Sequence, residues 1–236
     1  MTYTLTRSKR KTVALHISDG EIEVRAPLRM PVYAIDEFIA SKETWINKHL
    51  KRSGEQLINR ESFSLNYGDT VYILNTPYTI TQERETSPLS HPAPRQKNHP
   101  PVFGPNNEFY IPAGLNPEKI KKACIDVYRK TASYLLIPRT KELAGRMSVF
   151  PGNIKITSAK TRWGSCSPEK NISFSWRLLM ADEDTVDYVI IHELAHIIEM
   201  NHSQSFWNIV AKYCPDYKAG KKKLKALQNK LANEDW

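Results

Sequence analysis

The sequence predicts an α+β chain, with a β-rich N-terminal region over residues 1–115 and a second region over 116–236 that mixes long helices with short strands. Three observations carry that reading. Over residues 2–27 apolar and polar side chains alternate in short runs, the period of half-buried strands. Asn116-Pro117 places a capping residue before a proline suited to the first turn of a long helix. Near residue 190, Val186, Val189, Ile190 and Leu194 line one side of a further helix that also carries two histidines.

Element by element, strands are expected at Tyr3–Thr6, Thr12–Ile17 and Glu21–Arg25, with Asp19-Gly20 as the tight turn of a hairpin. Pro27 and Pro31 close this section. One helix follows over Val32–Lys51, where Ile35, Phe38, Ile39, Trp45, Ile46 and Leu50 share a broad face. Val71–Leu74 and Tyr78–Gln82 read as strands joined by Asn75-Thr76-Pro77. From 84 to 107, prolines at 88, 92, 94, 100, 101 and 105 remove backbone donors and fix φ, so this stretch reads as an insertion with His91 and His99 as solvated loop residues. A strand resumes at Phe109–Pro112, and the long helix covers Glu118–Met147 with Pro138 as its point of interruption. Asn153–Lys160 and Ile172–Leu178 read as strands on either side of the turn-rich stretch Thr161–Asn171. Asp182 or Asp184 caps the helix that begins near Thr185, and Ser203 caps another over Gln204–Tyr213. A last amphipathic helix has Leu224, Leu227 and Leu231 on its dry side and Lys221, Lys222, Lys223 and Lys225 on its wet side.

Composition narrows the function classes. No run of about 18 apolar residues occurs, so no membrane-spanning helix is expected. Cys124, Cys166 and Cys214 are too few and too scattered for a disulfide framework, which points to a reducing cytoplasm. The net charge of +9 gathers in Arg7–Lys11 and Lys218–Lys225. Such clusters attract nucleic acid or other polyanions, although no nucleic-acid-binding motif accompanies them and a solvated basic surface is the simpler reading.

Residues 192–196 are His-Glu-Leu-Ala-His. Four residues apart on a helix, His192 and His196 share a face and can reach one ion. A catalytic zinc takes three protein ligands and keeps one position for water, so a third ligand must come from outside the pair. His202 is the candidate: it follows Asn201, a residue suited to the left-handed turn that ends a helix, and from that corner its ring can fold back. Val186, Val189, Ile190, Leu194, Ile197 and Ile198 form an apolar stripe, with the histidines off it and Glu193 between. A carboxylate bordering a buried face needs a partner, and a zinc-bound water is one that Glu193 could deprotonate as general base. Arg162, just before a tight turn, is a candidate for holding a substrate carbonyl or anionic group, with a structural ion pair as the other reading. Cys166 reads as a small packed side chain, and Phe206 and Trp207 as core.

Arg162-Trp163-Gly164-Ser165-Cys166-Ser167, Tyr188-Val189-Ile190-Ile191-His192-Glu193-Leu194-Ala195-His196, Asn201-His202-Ser203 and Phe206-Trp207 together resemble the YgjP-like metallopeptidases. That family is similar to SprT-type proteases and sits in the broad zincin group. Arg7-Ser8, Arg10-Lys11-Thr12, Val24-Arg25-Ala26-Pro27 and Trp45-Ile46 extend the likeness to the N-terminal region. The resemblance implies a zincin-like region over 116–236, with an antiparallel sheet beside the metal-bearing helix. It also implies Zn²⁺ on His192, His196 and His202, Glu193 as general base, and a peptide or unfolded protein as substrate. Two alternatives stand beside it. The same metal site would also suit a phosphoanhydride such as a nucleoside triphosphate, against which stands the lack of a glycine-rich phosphate loop. A nucleic-acid-associated protease is the other. If Ile172–Leu178 were an edge strand its main chain could pair with an extended peptide, whereas an interior strand could not.

Overall fold

The computed structural model of the chain describes residues 1–83, 103–104 and 106–236, so most of the proline-rich stretch, His91 and His99 included, lies outside the described residues. The chain divides into two units, Met1–Phe63 with Asn229–Asp235, and Ser64–Gln228 with Trp236. The strands between 70 and 111 therefore group with the second unit.

In the first unit β1 (Thr4–Ser8), β2 (Ala14–Ser18) and β3 (Glu21–Pro27) form a sheet ordered β1-β3-β2. β3 runs antiparallel to β2 and parallel to β1. Asp19 and Gly20 both take positive φ, 53° and 78°, as the two-residue hairpin turn requires. Ile22, Val24 and Ala26, alternating along β3, pack with Ile35 and Ile39 of α1 (Val32–Ser41) and Ile46 of α2 (Glu43–Ser62). The single helix expected over Val32–Lys51 is thus two, broken at Lys42, where φ is −111° and ψ 9°. The apolar pattern repeats across that break and gives no sign of it. α2 also runs on to Ser62 because polar ties hold its second half: Gly20 N–H donates to Ser53, Arg60 pairs with Asp19, and Arg52 and Asn59 reach Asn229 and Asn233. Arg7, read above as part of a basic cluster, donates to the carbonyls of Pro27, Leu28 and Met30.

The second unit opens with β4 (Thr70–Ile73), β5 (Thr76–Gln82), β6 (Phe103–Gly104) and β7 (Glu108–Ile111), ordered β4-β5-β7-β6. The β4–β5 turn uses Leu74 and Asn75, both at positive φ, and Thr76-Pro77 already belongs to the strand. α3 (Pro117–Met147) is capped by Asn116, which accepts from Lys119 N–H, and runs through Pro138 unbroken. The lost bond costs about 3 kcal/mol. Against that, Ile120, Leu136 and Leu143 are among many α3 side chains with no more than 2% exposure, and burial of each contributes roughly 1.5–3 kcal/mol. Packing along the whole helix therefore outweighs one proline.

β8 (Ile154–Thr157), β9 (Gly164–Cys166) and β10 (Ile172–Ser175) form a sheet ordered β8-β10-β9. It is mixed, not antiparallel as expected: β10 runs antiparallel to β9 but parallel to β8. The cause is the short β9–β10 hairpin, which returns its second strand into the gap beside β8. β10 is consequently interior, and only Ile172–Ser175 is strand, since Trp176–Met180 winds into a 3₁₀ turn. Among the described residues the strands at the sheet's two edges are β8 and β9, and β9 is the one packed against the helix over Glu183–Ala195. Ser175 N–H donates to Trp163 O at 2.8 Å and Ser167 N–H to Asn171 O at 2.9 Å, with Ser165 opposite Ser173 between them. In an antiparallel pair such bonded pairs alternate with unbonded ones, so the main-chain groups of Gly164 and Cys166 point to the outer edge.

α4 (Glu183–Ala195), α5 (Gln204–Tyr213) and α6 (Tyr217–Leu231) complete the unit. Asp182 is the cap of α4, accepting from Thr185 N–H at 2.9 Å, and Ser203 caps α5 through Phe206 N–H. Arg139 of α3 makes a bidentate pair with Asp187 of α4, at 2.8 and 2.5 Å. No described helix is long and apolar enough to cross a membrane.

Candidate metal centre

α4 buries Val186, Val189, Ile190, Ile191 and Leu194, and this burial fixes the rotation of the helix and hence the direction of its polar residues. His192 and His196 come off one side, one turn apart. The helix stops at Ala195, earlier than the apolar stripe suggested, and turns carry the chain onward, with Ile198 and Glu199 N–H both bonded to Ala195 O. Ile198 is therefore 54% exposed and not part of the buried stripe. Asn201 is not among the described residues with positive φ, so the corner is made by these turns and by Ser203 N–H on Asn201 O.

The result brings His202 back over α4. The ligating nitrogens of His192, His196 and His202 lie within 4.8 Å of one another, and the Nε2 atoms of His192 and His202 are 3.1 Å apart. Metal–nitrogen bonds of about 2.0–2.1 Å in tetrahedral array imply nitrogens about 3.3 Å apart, so this pair stands at the separation a shared ion needs. His196 Nδ1 lies 3.2 Å from Glu199 O, which engages that nitrogen and leaves Nε2 as the lone-pair side. His192 Nδ1 is buried with no hydrogen-bond partner among the described residues, so the polar company of that ring is on its Nε2 side. Burial, reinforced by the charges of His196 and His202, pushes the His192 pKa down to about 3. The ring is thus neutral near pH 7, the form that binds metal. Three neutral imidazoles at this spacing fit a divalent ion.

Phe206 is fully buried behind the rings, stacked on His196 at 4.5 Å and edge-on to His192 and His202 at 4.9 and 4.8 Å. Trp207 stacks on His202 at 5.8 Å. Phe206 lies in the core as expected, whereas Trp207 is only half-buried, and together they form an apolar backing that restricts where the imidazoles can turn. Their signal in the sequence was proximity to the Ser203 cap, one turn beyond the third histidine.

Glu193 is buried, 6% exposed, on the side of α4 that meets β9. Burial raises its carboxyl to about 8, with the positive charge of Arg162 opposing the rise. Arg162 thus acts electrostatically on Glu193. Cys166, half-buried on β9, is free, as are Cys124 and Cys214, and burial followed by the charge of Glu193 raises its thiol. Gly164 lies against the Glu193 side chain, a role that reading the segment as turn residues did not suggest.

Comparison with family models matches residues 11–227 to the YgjP-like, metallopeptidase domain. The chain belongs to the YgjP-like metallopeptidase family. The YgjP-like match includes all three histidines, Glu193 and Arg162. It also covers parts of both units described above. Among solved structures, the metallopeptidase zymogen of Pyrococcus abyssi abylysin aligns at 23% identity and a TM-score of 0.37, over 43% of this chain and 100% of that one. No curated protein matches the chain.

Proposed function

We propose that this YgjP-like chain is a zinc-dependent peptidase, with His192, His196 and His202 as the metal ligands and Glu193 as the group that moves protons. The observation that carries this reading is the convergence of three imidazole nitrogens within 4.8 Å beside a buried carboxyl. Zinc is favoured by the all-nitrogen donor set, since three imidazoles are a donor set catalytic zinc accepts, with water as its fourth ligand. Bound there, zinc would polarise a carbonyl and lower the pKa of its water from 15.7 to about 7.

The residues of the chain supply the rest. Glu193 follows a ligand in sequence but lies on the β9 side of α4, so its carboxyl serves as a base and then as an acid to the leaving amine; a pKa near neutrality suits both steps. Arg162, whose charge reaches Glu193, would hold a substrate carbonyl or neutralise developing negative charge. The outward main-chain groups of Gly164 and Cys166 on β9 offer an extended peptide a strand to pair with. That duty, expected of Ile172–Leu178, is taken by β9, because β10 is paired on both sides and, of the two edge strands, β9 is the one that lies against α4 and Glu193. Main-chain pairing reads backbone and not side chains, so unfolded segments would be preferred to compact domains.

Casein hydrolysis by protein purified with one equivalent of zinc tests the proposal. Hydrolysis should stop on chelation and return with zinc; protein that carries zinc yet cleaves neither casein nor any member of a peptide library would sink it.

A further inference from the structure

Gly164 lies within a strand, where glycine costs roughly 0.5–1 kcal/mol relative to alanine. Its φ is not in the positive range that would require glycine. The reason for the residue is space. A Cβ at this position would stand 2.6 Å from Glu193 Oε1, 2.7 Å from its Cγ and 2.9 Å from its Cδ. Turning the terminal carboxyl cannot relieve all three contacts, because Cγ sits only one bond from the Cβ that the helix backbone holds. Glu193 is already 6% exposed, with α4 anchored by its buried apolar side, so the arm has little room to withdraw.

We infer that Gly164 is a positioning residue for Glu193: its missing side chain is the slot that holds the carboxyl arm under the edge of β9. The inference rests on the reading of Glu193 as the proton-handling group. It adds that one residue sets two distances at once. The main-chain groups of Gly164 face the edge where a peptide would pair, while its α-carbon abuts the carboxyl. A side chain there would push either the strand outward or the arm inward, and a displacement of about 1 Å at a reacting group costs on the order of 10² in rate.

The test is a double-mutant cycle of Gly164→Ala and Glu193→Ala, read by zinc content and melting temperature, with casein turnover for wild type and Gly164→Ala. Zinc should remain stoichiometric throughout, since neither Gly164 nor Glu193 is one of the three ligands. Gly164→Ala should lower the melting temperature in the wild-type background and have almost no effect once Glu193 is alanine, because the opposing atoms are gone. Its kcat on casein should fall by a factor on the order of 10² with KM little changed. Should Gly164→Ala fail to fold, recovery of folded, zinc-loaded protein in the double variant would support the slot. Equal loss in both backgrounds, failure of both variants to fold, or a wild-type kcat in Gly164→Ala would each overturn the inference. If wild-type protein cleaves no peptide, the functional reading falls on its own, and the melting cycle still decides whether Gly164 makes the slot.

Discussion

His196 and Glu193 stand three residues apart on α4, yet removing them should do different things. His196 is 9% exposed, with one nitrogen near Glu199 O and Phe206 stacked on its ring, so its position is set from two sides. On the proposed reading His196→Ala removes one of three ligands, and elemental analysis should show most of the zinc gone. Glu193 lies on the β9 side of α4, outside the group of three histidines, and Glu193→Gln preserves its shape. That variant should keep its zinc and its melting temperature while losing activity by 10² or more, the scale of general acid–base catalysis. Zinc lost with the glutamine, or activity kept, would show that the carboxyl has another task.

Asp182 does two things for α4. It accepts from Thr185 N–H as the helix cap, and it pairs with Lys223 of α6 at 3.0 Å. Burial alone would raise its pKa, but the hydrogen bonds from Lys223 and Thr185 prevail and hold it below the ordinary carboxylate range. A folded-state pKa lower than the unfolded value of about 3.9 gives stability that is complete above that value and lost as pH falls through the folded one. Asp182→Asn keeps a good cap but drops the charge. It should melt below wild type at pH 7, and the two melting temperatures should converge as the pH falls below the unfolded value and through the lowered folded one; a gap of constant size would rule out the ionised carboxyl as its source. β9 invites a second comparison at this scale. Cys166→Pro removes an N–H that points outward, a change an edge strand tolerates, whereas Ser165→Pro removes one that faces β10. The first should slow casein turnover with zinc and melting temperature near normal, and the second should lower the melting temperature. The reverse pattern would mean that the ladder alternates the other way and that β9 does not present Cys166 to a peptide.

At the scale of the molecule, the ion proposed at residues 192, 196 and 202 would tie α4 to the corner that follows it, across the end of the helix. An ion that binds only the folded state, at about 10³ times its Kd, adds roughly 4 kcal/mol. In a unit of this size that corresponds to a rise in melting temperature on the order of 10 °C. Chelation should therefore lower the melting temperature of wild type and leave that of His196→Ala in place. Equal shifts in both would point to a metal held elsewhere.

How much of this could be read from the chain alone follows from the range of each interaction. Local chemistry declared itself: the α+β class, the Asp19-Gly20 turn, the Asn116, Asp182 and Ser203 caps, and two histidines one turn apart all depend on residues within a turn of each other. So did the third histidine, because the corner joining it to α4 is short, even though ordinary turns make that corner and Asn201 does not take the left-handed conformation. Tertiary structure alone decided the rest. The break at Lys42 leaves the apolar period intact, and the far half of α2 is held by polar contacts that periodicity does not register. Pro138 stays inside α3 because packing along 31 residues exceeds one lost bond. β10 became interior, with β8 and β9 at the edges, through a pairing with β8 that lies 18 residues away in sequence. Gly164 faces Glu193 from 29 positions upstream, and no local pattern marks that meeting. Sequence determines what each short segment can form; which segments meet, and so which strand is open and which glycine leaves room for a carboxyl, is settled only when the core closes.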